Sequence, residues 1–206
     1  QSPSLQALRH TFALEAVFLA RSVPAPATPA PIVVKADASF KCGFGLAGLE
    51  HPAFKGDAEL GTFVHFFVGN WGLPSFSGTH VKAKVELEEW THVAATFDGS
   101  TMKLWVNGRL ADELALPDEK KVDEETAESL HYKGDLQIGG VPGKYAFDGM
   151  VDEVRLWDVA IDQGEYAVRD QVRKGVQNVC VGESEGLVGQ WSFNEGAGDL
   201  IVDSSG

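Results

Sequence analysis

The chain has 206 residues and a formal net charge of −13, with 44% hydrophobic and 23% charged residues. This composition is typical of a globular protein and excludes a disordered chain. The acidic excess disfavours nucleic-acid binding, which depends on Lys and Arg against phosphates. No apolar run approaches the roughly 20 residues of a membrane-spanning helix, so we expect neither a nucleic-acid partner nor membrane insertion.

Strand-like segments begin early and follow one another closely. The first is Thr11–Ala20, which is apolar and is interpreted as a buried strand. The proline-rich segment Val23–Pro31 follows. Because proline donates no backbone hydrogen bond, we predict a surface loop there. Further strands are predicted at residues 32–35, 40–49, 62–68 and 79–86.

The segment from Trp90 to Leu114 carries the strongest local signal. The dipeptides Asp98-Gly99 and Asn107-Gly108 separate three strand-like stretches. Asp-Gly and Asn-Gly favour the tight turns that join antiparallel neighbours. Local chemistry alone therefore predicts three consecutive antiparallel strands, at residues 91–97, 101–106 and 109–114.

The pattern continues beyond these hairpins. The acidic stretch Asp112–Glu128 is interpreted as a solvated surface segment, with a short helix as the alternative. Strands return at residues 136–139 and at Phe147–Trp157. Since successive side chains of a strand point to opposite faces, alternation predicts one face made of Val151, Glu153, Arg155 and Trp157.

The last elements are one helix and one strand. Asp162 can cap a helix, with Glu165 at the position that bonds back to the cap. A final strand is predicted at Leu187–Phe193. Ten or more strands and one helix leave no room for the crossover helices of a parallel sheet. The sequence therefore predicts an all-β fold, a two-sheet antiparallel β-sandwich of jelly-roll type with one short helix near the C-terminus.

Several motifs resemble those of LamG-like jelly rolls, in the concanavalin A-like lectin/glucanase superfamily. They are WTHVAATFDG at 90–99, MKLWVNG at 102–108, LQIG at 136–139 and FDGMVDEVRLWD at 147–158. The resemblance implies a single LamG-like, concanavalin A-like domain over residues 1–206. The segment LVGQWSFNEG at 187–196 looks like the one that usually begins such domains. We favour residues 187–206 closing this sandwich, with the start of a following repeat as the alternative.

The residues do not support catalysis. Glycosidases need two carboxylates flanking the scissile bond, and glucanases similar to this family place them as Glu-x-Asp-x-x-Glu on one strand. The nearest match is the adjacent pair Asp152-Glu153. His92 is interpreted as a packed, hydrogen-bonded histidine, and no histidine or cysteine has zinc-ligand spacing. We therefore expect a non-catalytic binding module and not an enzyme.

Carbohydrate is the ligand class that the resemblance implies. Sugar rings stack on exposed aromatic side chains beside amide or carboxylate groups, so the candidate ligand-binding residues are Asn70, Trp71 and Trp105. Packing in the core is the alternative for the tryptophans. The other function considered is a protein-interaction or structural domain of a larger multidomain protein.

The resemblance also implies calcium at one rim of the sandwich. Calcium takes several oxygen ligands from carboxylates and carbonyls, and the predicted ligands are Asp148, Asp152, Asp203 and Ser205. The alternative is that Asp148-Gly149 forms a turn and that the segment from Asp203 onward is a frayed tail.

The sequence leaves the cellular compartment of the protein undecided. Cys42 and Cys180 form one disulfide in an oxidising compartment or stay two buried thiols. The resemblance favours a secreted or cell-surface protein, with a cytosolic part of a multidomain protein as the alternative. The chain lacks an initiating Met and a signal-peptide pattern, which is typical of an excised or processed piece.

Overall fold

The computed structural model describes residues 8, 10–25, 28–37, 40, 43–51, 61–69, 79–122, 134–160 and 186–205. Within them, thirteen β-strands form two larger antiparallel sheets and one short hairpin. The predicted all-β sandwich is confirmed. The helix predicted from Asp162 lies outside the described residues, as do Cys42 and Cys180.

One sheet has six strands, and every neighbouring pair in it is antiparallel. Its members are β1 (Phe12–Ala20), β6 (Trp90–Phe97), β7 (Thr101–Val106), β8 (Arg109–Ala115), β12 (Gly149–Trp157) and β13 (Leu187–Trp191). They lie in the order β13-β12-β1-β6-β7-β8. The three consecutive strands predicted from the Asp-Gly and Asn-Gly turns are β6, β7 and β8.

The other sheet has five strands. They are β2 (Ala30–Ala36), β3 (Gly43–His51), β4 (Gly61–Val68), β5 (His80–Val85) and β9 (Gln137–Ile138), in the order β5-β4-β3-β2-β9. A hairpin of β10 (Gly140–Val141) and β11 (Tyr145–Ala146) stands beside it. The proline-rich segment ends earlier than predicted, since Pro31 belongs to β2. The register with β3 shifts between Pro31 and Val33, as expected for an irregularity at a proline.

The hydrophobic core lies between the two larger sheets. Alternate residues of β1 face it, and among them Phe12 contacts aromatic rings from both sheets. Its ring centroid lies 4.4 Å from that of Phe44, 6.1 Å from that of Phe66 and 5.8 Å from that of Phe97. Such tilted and edge-on aromatic pairs are favourable beyond the area they bury.

The turn between β7 and β8 has the conformation its sequence predicts. Asn107 and Gly108 both have positive φ, +49° and +75°, as a type I′ turn requires. The Asn107 side chain also accepts a hydrogen bond from the His92 backbone N–H at 3.0 Å. The turn is therefore tied to β6, which carries His92.

The acidic stretch begins inside the strand predicted at residues 109–114. Its first part belongs to β8, because pairing with β7 extends to Ala115. Asp112 accepts a hydrogen bond from the backbone N–H of Lys82 at 2.9 Å and so joins the edge of one sheet to that of the other. A single 3-10 turn follows at Asp118–Lys120. Residues 123–130 lie outside the described part.

The C-terminal segment pairs with the six-stranded sheet. Strand β13 lies against β12 at the edge, with Gln190 opposite Arg155. The chain then returns alongside β13. Asp203 accepts hydrogen bonds from the backbone N–H groups of Gln190 and Ser205, both at 3.0 Å, and the Ser204 backbone N–H donates to the Gln190 carbonyl at 2.9 Å.

The Asp98 side chain organises the turn between β6 and β7. It accepts hydrogen bonds from the Ser100 backbone N–H (2.8 Å), the Ser100 hydroxyl (2.9 Å) and the Thr101 backbone N–H (2.6 Å). Burial acts to raise the pKa of Asp98, but these hydrogen bonds, aided by Lys103, together hold that pKa below its ordinary value. The ionised form is therefore favoured in the folded protein.

Replacing Asp98 with alanine is expected to lower the free energy of unfolding at neutral pH by about 1 kcal/mol, because three donors lose their acceptor. A carboxyl group with a lowered folded-state pKa contributes stability above its unfolded-state pKa and loses it as the pH falls through the folded-state value. Urea unfolding of both proteins at neutral and acidic pH measures the difference. An undiminished difference in acid would contradict this explanation.

Candidate functional site

The outer face of the six-stranded sheet is the side that points away from the other sheet. Ala13, Glu15, Val17 and Leu19 of β1 lie on it, because the intervening residues of β1 belong to the core. Their partners on β6 are Thr96, Ala94, His92 and Trp90. The register therefore places one carboxylate, one imidazole and one indole side by side on the same face.

A β-bulge in β12 brings Arg155 to this face. Glu153 has a φ of +48°, and the register with β1 shifts there, so that Glu15 pairs with Arg155 while Val17 pairs with Asp152. The alternation predicted for this strand is therefore wrong on one side of the bulge. The extra residue of the bulge moves the side chains that precede it in the strand to the other face of the sheet. The outer face carries Met150, Asp152, Arg155 and Trp157, and Val151, Val154 and Leu156 face the core.

Four ionisable side chains meet here, and we name Glu15, His92, Glu153 and Arg155 the Glu15 cluster. The Arg155 Nη1 atom lies 3.5 Å from Glu15 Oε2, and its Nη2 atom donates to Glu153 Oε2 at 2.7 Å. The His92 Nε2 atom lies 3.9 Å from Glu15 Oε2. Glu15 is 0% exposed, Arg155 3% and His92 7%. Charges buried to this degree persist only when they are paired.

Burial raises the pKa of Glu153, Arg155 acts against this rise, and Asp152 adds to it. A carboxyl group whose pKa is higher in the folded state than in the unfolded state binds more protons when folded. Its contribution to stability therefore decreases as the pH rises from the unfolded-state pKa through the folded-state pKa. Above that window, the Glu153 carboxylate depends on Arg155 for compensation.

The same face holds polar atoms that have no hydrogen-bond partner within the described residues. They are Glu15 Oε1, His92 Nδ1, Arg155 Nε, Trp105 Nε1 and Trp157 Nε1. Each unsatisfied buried group costs about 1–3 kcal/mol, and native proteins contain few of them. All five atoms are shielded from solvent in this structure.

The cluster has an apolar, accessible border. Trp90 is 50% exposed, and Trp105 of β7 is half-buried. Trp105 pairs with Ala94 on one side and with Leu110 on the other, and Leu110 is 46% exposed. His92 is two residues from both Trp90 and Ala94 on β6. The two indoles therefore flank the histidine, which lies on the floor between them.

Of the three residues predicted to bind ligand, the structure describes Trp105 alone. Trp105 lies on the face opposite Leu104 and Val106, as alternation along the strand predicts, and those two residues belong to the core or pack against it. Trp105 packs against a small second cluster formed by Ala13, Ala94 and Trp157. Asn70 and Trp71 lie outside the described residues.

The four residues predicted to bind calcium lie apart. Asp148 precedes β12 and accepts a hydrogen bond from the Ser22 hydroxyl at 2.6 Å. Asp203 and Ser205 lie beside Gln190, which is opposite Arg155 near the other end of β12. Gly149 and Arg155 are six positions apart along the strand, a span of about 20 Å. Asp152 lies between them and accepts from the Glu153 backbone N–H at 2.9 Å.

Calcium binds its oxygen ligands at about 2.5 Å. One ion therefore cannot contact Asp148 and Asp203 together. The described ranges also contain no group of three or more His, Cys, Asp or Glu residues placed to hold a metal ion. The four residues do not fit a single calcium centre, and calcium binding at either end stays a prediction.

Sequence reasoning missed Glu15. A signal was available, because Glu15 is the lone charged residue within the otherwise apolar strand FALEAVFLA. A charged residue is rarely buried without a partner. Its partner Arg155 is 140 residues away, so the pair could not be recognised before the strands were placed. For His92, the predicted packing is present, but Nδ1 has no hydrogen-bond partner among the described residues.

The model of a laminin G family, described as the concanavalin A-like lectin/glucanases superfamily, matches residues 49–166. This is more than half of the 206 residues. The chain belongs to the concanavalin A-like lectin/glucanase superfamily. The predicted family is thereby confirmed. No curated protein sequence matches the chain significantly.

Solved structures of this architecture include carbohydrate-binding proteins. A protein of Bacteroides ovatus, described as a proposed carbohydrate-binding protein, has a TM-score of 0.59 and 18% identity. That match covers 94% of this chain and 49% of the other. The CBM40 module of a Ruminococcus gnavus sialidase, bound to α2,3-sialyllactose, has a TM-score of 0.52 and 16% identity, covering 79% and 83% of the two chains.

A SAP-like pentraxin of Limulus polyphemus has a TM-score of 0.52 and 16% identity, and the match covers 96% of this chain and 81% of that one. At these identities the likeness shows the fold alone. The superfamily member described here spans about half the length of the Bacteroides ovatus protein. None of the helices in the described ranges is long and apolar enough to cross a membrane.

Proposed function

We propose that this chain is a carbohydrate-binding module without catalytic activity, and that it holds a sugar ring on the outer face of the six-stranded sheet. The observation that carries the proposal is the Glu15 cluster bordered by Trp90 and Trp105. Indole rings offer an apolar surface for the C–H face of a sugar. Trp90 supplies the accessible ring, because it is 50% exposed, whereas the unpaired atoms of the cluster lie beneath the surface.

Neutral glycans fit this face better than acidic ones. The net charge of −13 repels anions on average. The one cation of the cluster, Arg155, already lies against the carboxylates of Glu15 and Glu153. We propose a neutral sugar as ligand and a secreted or cell-surface location for the module. The structural neighbours that bind carbohydrate support the class of ligand and not its identity.

A glycan array that includes neutral and sialylated oligosaccharides tests the proposal. Trp90→Ala is expected to weaken binding about tenfold or more, since loss of one stacked aromatic ring removes about 1.5 kcal/mol. Trp105→Phe keeps an aromatic ring packed against Ala94 and is expected to weaken binding less than Trp90→Ala, because the Trp105 indole N–H is buried. Affinities are measured by isothermal titration calorimetry.

Leu114→Ala is the matched control. Leu114 is an exposed apolar residue of β8, and its cross-strand partner is the core residue Met102, so it lies on the other face of the sheet from the two tryptophans. The control should bind like the unmodified chain. Binding unaffected by either tryptophan substitution would refute this location of the site. Repeating the array with calcium and with a chelator tests whether the sugar affinity depends on the metal.

A protein partner is the second candidate. Leu200, Ile201 and Val202 form an exposed apolar run, 82%, 50% and 61% accessible. Exposed apolar patches are typical of interaction surfaces. A blank glycan array, together with loss of self-association or partner binding in a Leu200→Ser/Val202→Ser variant, would favour this alternative.

A further inference from the structure

A cavity of about 230 Å³ opens at one end of the sandwich, between the two larger sheets. It lies where β1 and β3 end and where β2 and β4 begin, beside the β10–β11 hairpin. Its walls come from both sheets and from the segments at 22–25 and 144–148. It lies on the core side of β1, whereas Trp105 and the Glu15 cluster lie on the outer face.

The depth of the cavity is apolar. Phe18, Ile32, Val64 and Val85 line it, and all four side chains are buried. Phe147 closes one side, with its ring edge-on to that of Phe18 at 5.8 Å and 88°. An apolar cavity of about 150 Å³ is sufficient to bind benzene. This cavity is large enough for a monocyclic ring with a substituent.

The mouth of the cavity is polar. Asp148 lines it and is held in place by the Ser22 hydroxyl, which donates to Oδ2 at 2.6 Å. No described residue donates to the other carboxylate oxygen, Oδ1. Lys144 also lines the mouth, with its Nζ atom 5.1 Å from the centre of the Tyr145 ring. The geometry is an apolar chamber with an oriented hydrogen-bond acceptor at its entrance.

We propose that this cavity binds a small molecule with two parts. One part is an apolar ring or branched chain of about six to nine non-hydrogen atoms, and the other is a polar head group that donates a hydrogen bond to Asp148. The head is a hydroxyl or an ammonium group. This site is separate from the proposed sugar site, so failure of the glycan experiments leaves it intact.

Three probes that share a benzyl group test whether binding requires a hydrogen-bond donor: benzyl alcohol, benzylamine and benzyl methyl ether. Each is titrated against the full chain, with backbone amide shifts followed by NMR. The alcohol or the amine is expected to saturate with a dissociation constant of about 1 mM or below, with shifts at Ala20, Gly48 and Phe147. The ether, which has no donor, should bind about tenfold more weakly.

Two substitutions at the cavity complete the test. Asp148→Asn keeps an acceptor but removes the charge, so it should reduce amine binding about tenfold and leave alcohol binding nearly unchanged. Gly48→Leu should abolish binding of all three probes. A Cβ at Gly48 would lie 3.7 Å from Ala30 Cβ and 3.8 Å from Pro24 Cγ, in ordinary contact, and both residues line the cavity.

The proposal is overturned if no probe saturates, or if the shifts in the unmodified chain avoid the cavity residues. It is also overturned if the ether binds as tightly as the alcohol and the amine. Folding of Gly48→Leu is checked by thermal unfolding. If that variant fails to fold, the shift map and the ether comparison still decide, because both use the unmodified chain.

Discussion

Replacing Arg155 with methionine is expected to lower the free energy of unfolding by about 3–5 kcal/mol, because it leaves the fully buried Glu15 carboxylate without its strongest partner. His92 is the remaining partner, at 3.9 Å. For a domain of this size each kcal/mol corresponds to about 2–4 °C in Tm. Urea unfolding followed by tryptophan fluorescence measures the loss.

The double variant Glu15→Leu/Arg155→Met is the control. Replacing a buried ion pair by apolar residues of similar volume is often neutral or stabilising, whereas breaking it is not. The double variant should therefore recover the part of the loss that comes from Glu15, while the Glu153 carboxylate is without Arg155 in both variants. Two results would contradict this explanation. One is a loss of less than about 1 kcal/mol in Arg155→Met, and the other is a double variant no more stable than the single one. Either would show that Arg155 does not compensate the buried Glu15 carboxylate.

Deleting residues 187–206 is expected to lower the free energy of unfolding by about 3 kcal/mol or more, since buried Val188 and half-buried Trp191 both leave the core. The deletion also exposes β12 as a new edge, which favours aggregation. Thermal unfolding and light scattering of the shortened chain measure both effects.

A shorter truncation, removing residues 197–206, is the matched comparison. It keeps β13 and removes Asp203 and Ser204, whose hydrogen bonds hold the returning chain against Gln190. Its cost should be about 1–2 kcal/mol. If the longer deletion left stability unchanged, β13 would belong to a following repeat and not to this sandwich.

The strands could be predicted because their signals are local. Alternation of apolar residues and the Asp98-Gly99 and Asn107-Gly108 turns are properties of neighbouring residues, and they placed β6, β7 and β8 nearly to the residue. Where prediction failed, an irregularity intervened. Pro31 lies inside β2, because pairing with the neighbouring strand outweighed the local preference.

The candidate site was predicted less completely. Alternation along the strand is enough to place Trp105 on the face opposite Leu104 and Val106. The calcium residues were grouped by motif, yet Asp148 and Asp203 lie near opposite ends of β12. A sequence motif does not show which end of β12 each segment approaches, because that depends on how the strands pair in the folded protein.

The sequence by itself determined the class of fold and the hairpins, because period-two alternation and turn chemistry act over a few residues, and its motifs carried the resemblance to the family. Only the tertiary structure decided that Glu15, His92 and Arg155 share one face. Two of these lie 140 residues apart, and the third joins them through the pairing of β6 with β1. The bulge at Glu153 was equally decisive, because a shift of one residue in a strand moves every side chain beyond it to the other face.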